Sequence, residues 1–158
     1  MALILAKEYK NIDYELLIAS CLTHDVPEKK DVIKILQKLK FSEEKIEKIK
    51  NIIVQFRHIG KEPKEDFKKS IESEIFLDAD NLDALGGIGI TRAIFFGLSK
   101  NFPVFKSKED YLNDSMYGTI KEIINWEKSM FTKKAKRIGK KRTRIMKLFL
   151  KNIEKEFG

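Results

Sequence analysis

Leu77-Asp78-Ala79-Asp80-Asn81-Leu82-Asp83-Ala84-Leu85-Gly86 is the stretch on which the reading of this chain turns. Three carboxylates fall within six positions of an otherwise apolar segment. Burying a carboxylate is costly unless hydrogen bonds or a cation compensate it. A calcium loop of the EF-hand kind is excluded: its sixth position would be Asp83 where a Gly is needed, and its twelfth Gly89 where a Glu is needed. Caps at a helix junction account for one such Asp, not for three.

Outward from this stretch the periodicity is helical throughout, with no strand meander and no internal repeat. The spacing predicts a first helix from Ala2 to about Lys10 and a second from about Tyr14 to His24, with Leu17, Cys21 and His24 on one face. Ile33, Leu36 and Leu39 mark a third. Ser42 caps a fourth, whose stripe of Ile46, Ile49, Ile53 and Phe56 ends near His58. Residues 60–65 form a connection. A fifth helix begins near Lys69, passes through Asp80 and continues to Leu98. The irregular stretch 101–114 is a candidate lid. Two last helices cover about Ser115–Ser129 and Thr132–Phe157, with Thr132 as an N-cap.

Composition bounds the rest. The 158 residues suit one domain, 1–158, and 42% hydrophobic with 35% charged residues is a globular balance. The single Cys21 rules out an internal disulfide and suits a reducing cytoplasm. The apolar run 82–98 is interrupted by Asp83 and Arg92, so no membrane span is expected. Between Lys128 and Lys151 there are eleven basic residues and no acidic one; subtracting them from the net +8 leaves −3 for the rest. A basic helix suits a solvated face, a polyphosphate substrate, an anionic membrane or a nucleic acid.

Leu22-Thr23-His24-Asp25, the segment 77–86 and Gly89-Ile90-Thr91-Arg92 together resemble the HD superfamily, and more narrowly its small stand-alone hydrolases. The closing segment Phe131-Thr132 through Arg142, Met146, Phe149 and Leu150 is similar to that subfamily's last helix. The resemblance spans nearly the whole chain. It implies an all-α, single-domain HD-type helical bundle with one divalent metal ion (Mn, Mg, Fe, Co or Ni). It also implies hydrolysis of a phosphate ester or anhydride, with a nucleotide as the small phosphorylated substrate. Carried over by position, His24, Asp25 and Asp80 are metal ligands. The family's first metal-binding His belongs to the first helix, upstream of Ala2, and neither His24 nor His58 fills that place. The first helix is thus read as truncated, and weak activity is expected. The alternatives are an impaired HD relative that binds nucleotide without turnover, and a basic nucleic-acid-binding module.

The remaining candidates each have two readings. Asp25 is both ligand and catalytic carboxylate. Glu28, shortly after it, is a general acid or base, or a surface residue. His58 lies near substrate, or caps its helix. Arg92 and Arg142 stand at apolar positions; Arg142 interrupts the stripe Phe131, Ala135, Ile138, Ile145 and Phe149. An inward Arg needs an anion, either a carboxylate such as Asp78 or Asp83, or a substrate phosphate. Gly86 and Gly89 are read as sites of close packing and not as a phosphate loop, because no strand precedes them.

Overall fold

The computed structural model describes residues 1–57 and 70–157. His58, the connection 60–65 and the expected start of the fifth helix near Lys69 lie outside them. The elements are α1 (Ala2–Ala6), α2 (Tyr14–Thr23), α3 (Lys29–Lys38), α4 (Glu43–Arg57), α5 (Ile71–Asp83), α6 (Gly86–Ser99), α7 (Met116–Ile124), a 3-10 turn (Asn125–Ser129) and α8 (Lys133–Phe157). The chain is all-α, with no strand among the described residues. It divides into two compact units, Ala2–Leu77 and, with Met1, Asp78 onward; the division falls within α5.

In the first unit α2 packs on α4 and on α1, and α3 on α4. Leu17, Leu36, Ile49 and Ile75 are fully buried there. The start of α2 is strongly determined. Asp13 caps it, accepting from the Leu16 amide at 3.0 Å, while its own amide donates to the buried Glu72 at 3.1 Å. The Lys45 ammonium lies 3.2 Å from Asp13 and 2.6 Å from Glu15. The Leu16 amide, with Lys45, holds the Asp13 carboxyl below its ordinary range despite some burial. The first helix is shorter than its apolar run suggests: it ends at Ala6, and the chain turns through Asn11 at φ 59°. Asn tolerates that left-handed conformation, which turns the chain toward α2.

In the second unit α8 packs on α6, α7 and the 3-10 turn, and α6 on α7. The expected continuous helix to Leu98 is broken. Ala84 and Leu85 leave the helix, and Gly86, the first residue of α6, takes φ +85°, where glycine is favoured. At Gly89 a Cβ would fall 1.9 Å from the Ala84 carbonyl oxygen, so the reading of these glycines as close-packing sites holds. The stretch expected as a lid is instead clamped to itself and to α7. Asp110 accepts from the amides of Lys106 and Ser107 at 2.9 and 3.0 Å, and the amides of Met116 and Tyr117 donate to the carbonyls of Pro103 and Val104. Thr132 caps α8 as expected, accepting from the Ala135 amide at 3.2 Å. The buried face of α8 is Ala135, Gly139, Thr143, Met146, Leu150 and Ile153; Ile145, placed on it from sequence, is 54% exposed. Small residues make that face. A Cβ at Gly139 would lie 2.7 Å from the Met130 sulfur, and the Thr143 hydroxyl donates to Glu127 at 2.6 Å.

Candidate metal centre

His24 and Asp25 terminate α2 in the first unit. Two buried hydroxyls upstream are spent on the helix itself, Ser20 donating to the Leu16 carbonyl at 2.8 Å and Thr23 to Ala19 at 2.7 Å. The His24 amide still donates to the Ser20 carbonyl, so the residue sits at the last helical register, and Pro27 follows two residues after Asp25. The imidazole is oriented from two sides. Nδ1–H donates to the Cys21 carbonyl at 2.8 Å, and the ring packs edge-on against buried Phe76, with centroids 5.4 Å apart. A proton on Nδ1 puts the lone pair on Nε2, the arrangement that orients a metal-ligating histidine. Nε2 lies 3.3 Å from Asp25 Oδ1. Two donor atoms at that separation are spaced as neighbouring ligands of one cation, each about 2.0–2.2 Å from it. The Asp25 side chain is 87% exposed and the His24 side chain 18% exposed.

The carboxylate stretch of α5 resolves into three different roles. Asp78 is fully buried and accepts from the amides of Phe131 and Thr132 at 2.8 and 2.7 Å, holding the entry to α8. Asp83 pairs with Arg92 at the surface, both side chains more than 60% exposed. Asp80 is half-buried on α5 in the second unit. Of the two compensations open to the cluster, hydrogen bonds serve Asp78, and Asp83 has the arginine partner that is one of its readings. Among the described residues no group of three or more His, Cys, Asp or Glu side chains is gathered as a metal requires. The fit is thus a two-atom bite from His24 and Asp25 without a closed set.

The arginines are corrected likewise. Arg92 finds the carboxylate partner expected for it, but on the exposed side of α6 and not inward. Arg142 lies half-buried at the margin of α8's packed face, and its Nη1–H donates to the Leu82 carbonyl in the last turn of α5. That carbonyl also accepts from the Leu85 amide at 3.1 Å, and a guanidinium at a helix C-terminus opposes the negative end of the helix dipole. Its stem runs past Gly86, where a Cβ would meet Arg142 Cγ at 3.3 Å. Glu28 is exposed at the start of α3 and makes no side-chain cap bond.

The fold is that of the HD superfamily, as the resemblance in the sequence implies. A crystallised HD-superfamily hydrolase from Bacillus thuringiensis is 26% identical, with a TM-score of 0.77 over 99% of this chain and 80% of its own. YpgQ of Bacillus subtilis (strain 168) is 26% identical over 94% of this chain and 76% of its own length. The crystal structure of YpgQ in complex with ADP superposes with a TM-score of 0.77, covering 98% of this chain and 82% of that one at 22% identity. No protein-family model matches the chain.

Proposed function

We propose that this protein is a metal-dependent phosphohydrolase of the HD type, acting on a phosphate ester or anhydride of a nucleotide. The observation that carries the reading is the paired orientation of His24 and Asp25, with Nδ1–H fixed on the Cys21 carbonyl and Nε2 lying 3.3 Å from Asp25 Oδ1. In the proposal His24 and Asp25 hold a divalent cation together with Asp80. Such a cation acts as a Lewis acid toward water and phosphoryl oxygen. Glu28, exposed beyond Asp25, is the assigned proton-transferring carboxylate. Arg142 contributes guanidinium N–H groups other than the one on Leu82, offsetting phosphate charge. Arg92, committed to Asp83, is dropped from the substrate set. The nucleotide class is supported by the ADP complex of YpgQ, and hydrolysis by the Bacillus thuringiensis relative.

The second reading is a nucleotide-binding relative without turnover, favoured by the open ligand set among the described residues. Calorimetric titration with Mn²⁺ and with ADP, alongside phosphate release from nucleoside di- and triphosphates, separates the two. The phosphohydrolase reading expects metal binding that His24→Gln, Asp25→Asn and Asp80→Asn each weaken by about 10-fold or more, and turnover abolished by a chelator. ADP binding with neither metal uptake nor phosphate release would establish the second reading and overturn the first.

A further inference from the structure

Lys133, Arg137, Lys140, Arg144, Lys147 and Lys151 follow one another along α8 at steps of four and three residues. That spacing puts them in one row on one face. Lys136 and Lys141 flank the row, and all eight side chains are exposed. From Lys133 to Lys151 the row is about 27 Å long, at about 1.5 Å per residue. Among the described residues none of these eight cationic groups takes part in an ion pair or side-chain hydrogen bond. On α4, by contrast, Lys45, Lys48 and Lys50 each meet a carboxylate on the protein itself. The glutamates nearest in sequence are also committed elsewhere: Glu127 accepts from Thr143, and Glu154 from the Tyr117 hydroxyl at 2.6 Å. The row is therefore a concentrated positive edge that the protein's own charges do not offset.

We propose that this face of α8 binds the phosphate backbone of double-stranded nucleic acid. Three observations select that partner. The regular cation row matches a polyanion with closely repeating charge and releases its counterions on contact. No aromatic side chain stands in the row, so the stacking platform that single strands need is missing. The packed face of α8, with Ala135, Met146, Leu150 and Ile153, is turned into the unit, and the exposed Ile145 and Leu148 beside the row are too few to make the continuous apolar face that insertion among lipids needs. Contacts to phosphate carry no sequence information, so the binding is independent of sequence. The inference stands apart from the proposed hydrolysis and needs neither metal nor nucleotide.

The test is fluorescence anisotropy of a labelled duplex of about 20 base pairs, a single strand of the same length and vesicles rich in phosphatidylserine, titrated with the full chain at about 50 and about 200 mM KCl. The expected result is duplex binding that falls with salt at a log–log slope of about −0.9 per phosphate, so about −4 to −5 for five contacts. Lys140→Glu/Arg144→Glu weakens it by about 10-fold or more, while Lys29→Glu/Lys30→Glu, an equal change in net charge on exposed positions of α3, leaves it within about 2-fold. Unchanged melting curves for both variants show that folding is not what differs, and Lys140→Gln/Arg144→Gln serves if the reversal disturbs it. Equal losses in the two charge variants would reduce the effect to net charge and overturn the proposal. So would tighter binding to the single strand, binding to vesicles without binding to duplex, or no duplex binding at the lower salt.

Discussion

Replacing Asp78 by Ala removes a fully buried carboxylate that holds two amides more than fifty residues away. Each N–H bond to a charged acceptor contributes about 1.5–3 kcal/mol, and a buried N–H left without a partner carries its own desolvation penalty. The Thr132 amide belongs to a residue only 2% exposed, whereas Phe131 is half-buried and can regain some water. The expected loss is therefore about 3–5 kcal/mol, nearer the sum of two charged bonds than that of one. For a chain of this length that lowers the melting temperature by roughly 6–20 °C. Asp78→Asn retains one acceptor oxygen but turns an amide N–H toward a backbone N–H, so it should lose about 2–3 kcal/mol. Asp83→Ala supplies the comparison. Its partner Arg92 is as exposed as it is, and an exposed pair contributes about 0–1 kcal/mol. Urea denaturation followed by circular dichroism measures all three. A loss below about 1 kcal/mol for Asp78→Ala, or one no larger than for Asp83→Ala, would refute the assignment of Asp78 as the tertiary cap of α8.

Asp110 has its carboxyl raised by burial but pulled further the other way by hydrogen bonds from Ser115, Ser107 and the Lys106 amide, ending below the ordinary 3.8. A depressed carboxyl contributes stability that is present above its unfolded value and lost as pH falls through the folded one. Urea midpoints should therefore decline below about pH 3.8 in the parent, and less steeply in Asp110→Asn. Tyr117 is pushed up to about 12 by burial and by its bond to the Glu154 carboxylate. Its stabilising share persists below the ordinary 10.0 and is lost as pH climbs toward 12; ultraviolet titration should show one late phenolate that Glu154→Gln brings earlier. Gly86→Ala must place a Cβ at φ +85° against the Arg142 stem, and should destabilise by about 1–2 kcal/mol. Gly87→Ala, with open space around it inside α6, should instead stabilise by up to about 1 kcal/mol in the same thermal melts.

Much of the fold was legible because helix punctuation is local. Thr132 is placed at a helix start from residue type alone, and its hydroxyl accepts the amide three residues on. The His24-Asp25 doublet was legible through resemblance, while the Cys21 carbonyl that orients its ring was implicit in the i−3 geometry of a helix end. What the sequence hid is non-local or made of small residues. Nothing near Asp78 announces that its partners are the amides of Phe131 and Thr132. Counting large apolar side chains misplaced the buried face of α8, because Gly139 and Thr143 make the close approach there. Arg142 was assigned an anionic partner because charge suggests charge. A terminal carbonyl of α5 serves as well, and no one-dimensional pattern marks which helix end will lie beneath a given arginine.

The distance along the chain between Asp78 and its partners also has a consequence in time. At about 5–20 residues per second, some 53 residues of synthesis separate the carboxylate from the first amide it will hold, an interval of roughly 3–10 s. For that interval the nascent segment around Asp78 carries a charge whose burial is costly, because the two amides that hydrogen-bond it have not been made. The second unit therefore cannot close as α5 emerges. Its consolidation waits on the arrival of Thr132, and the start of α8, made after α5, α6 and α7, is what lets the earlier segment leave water.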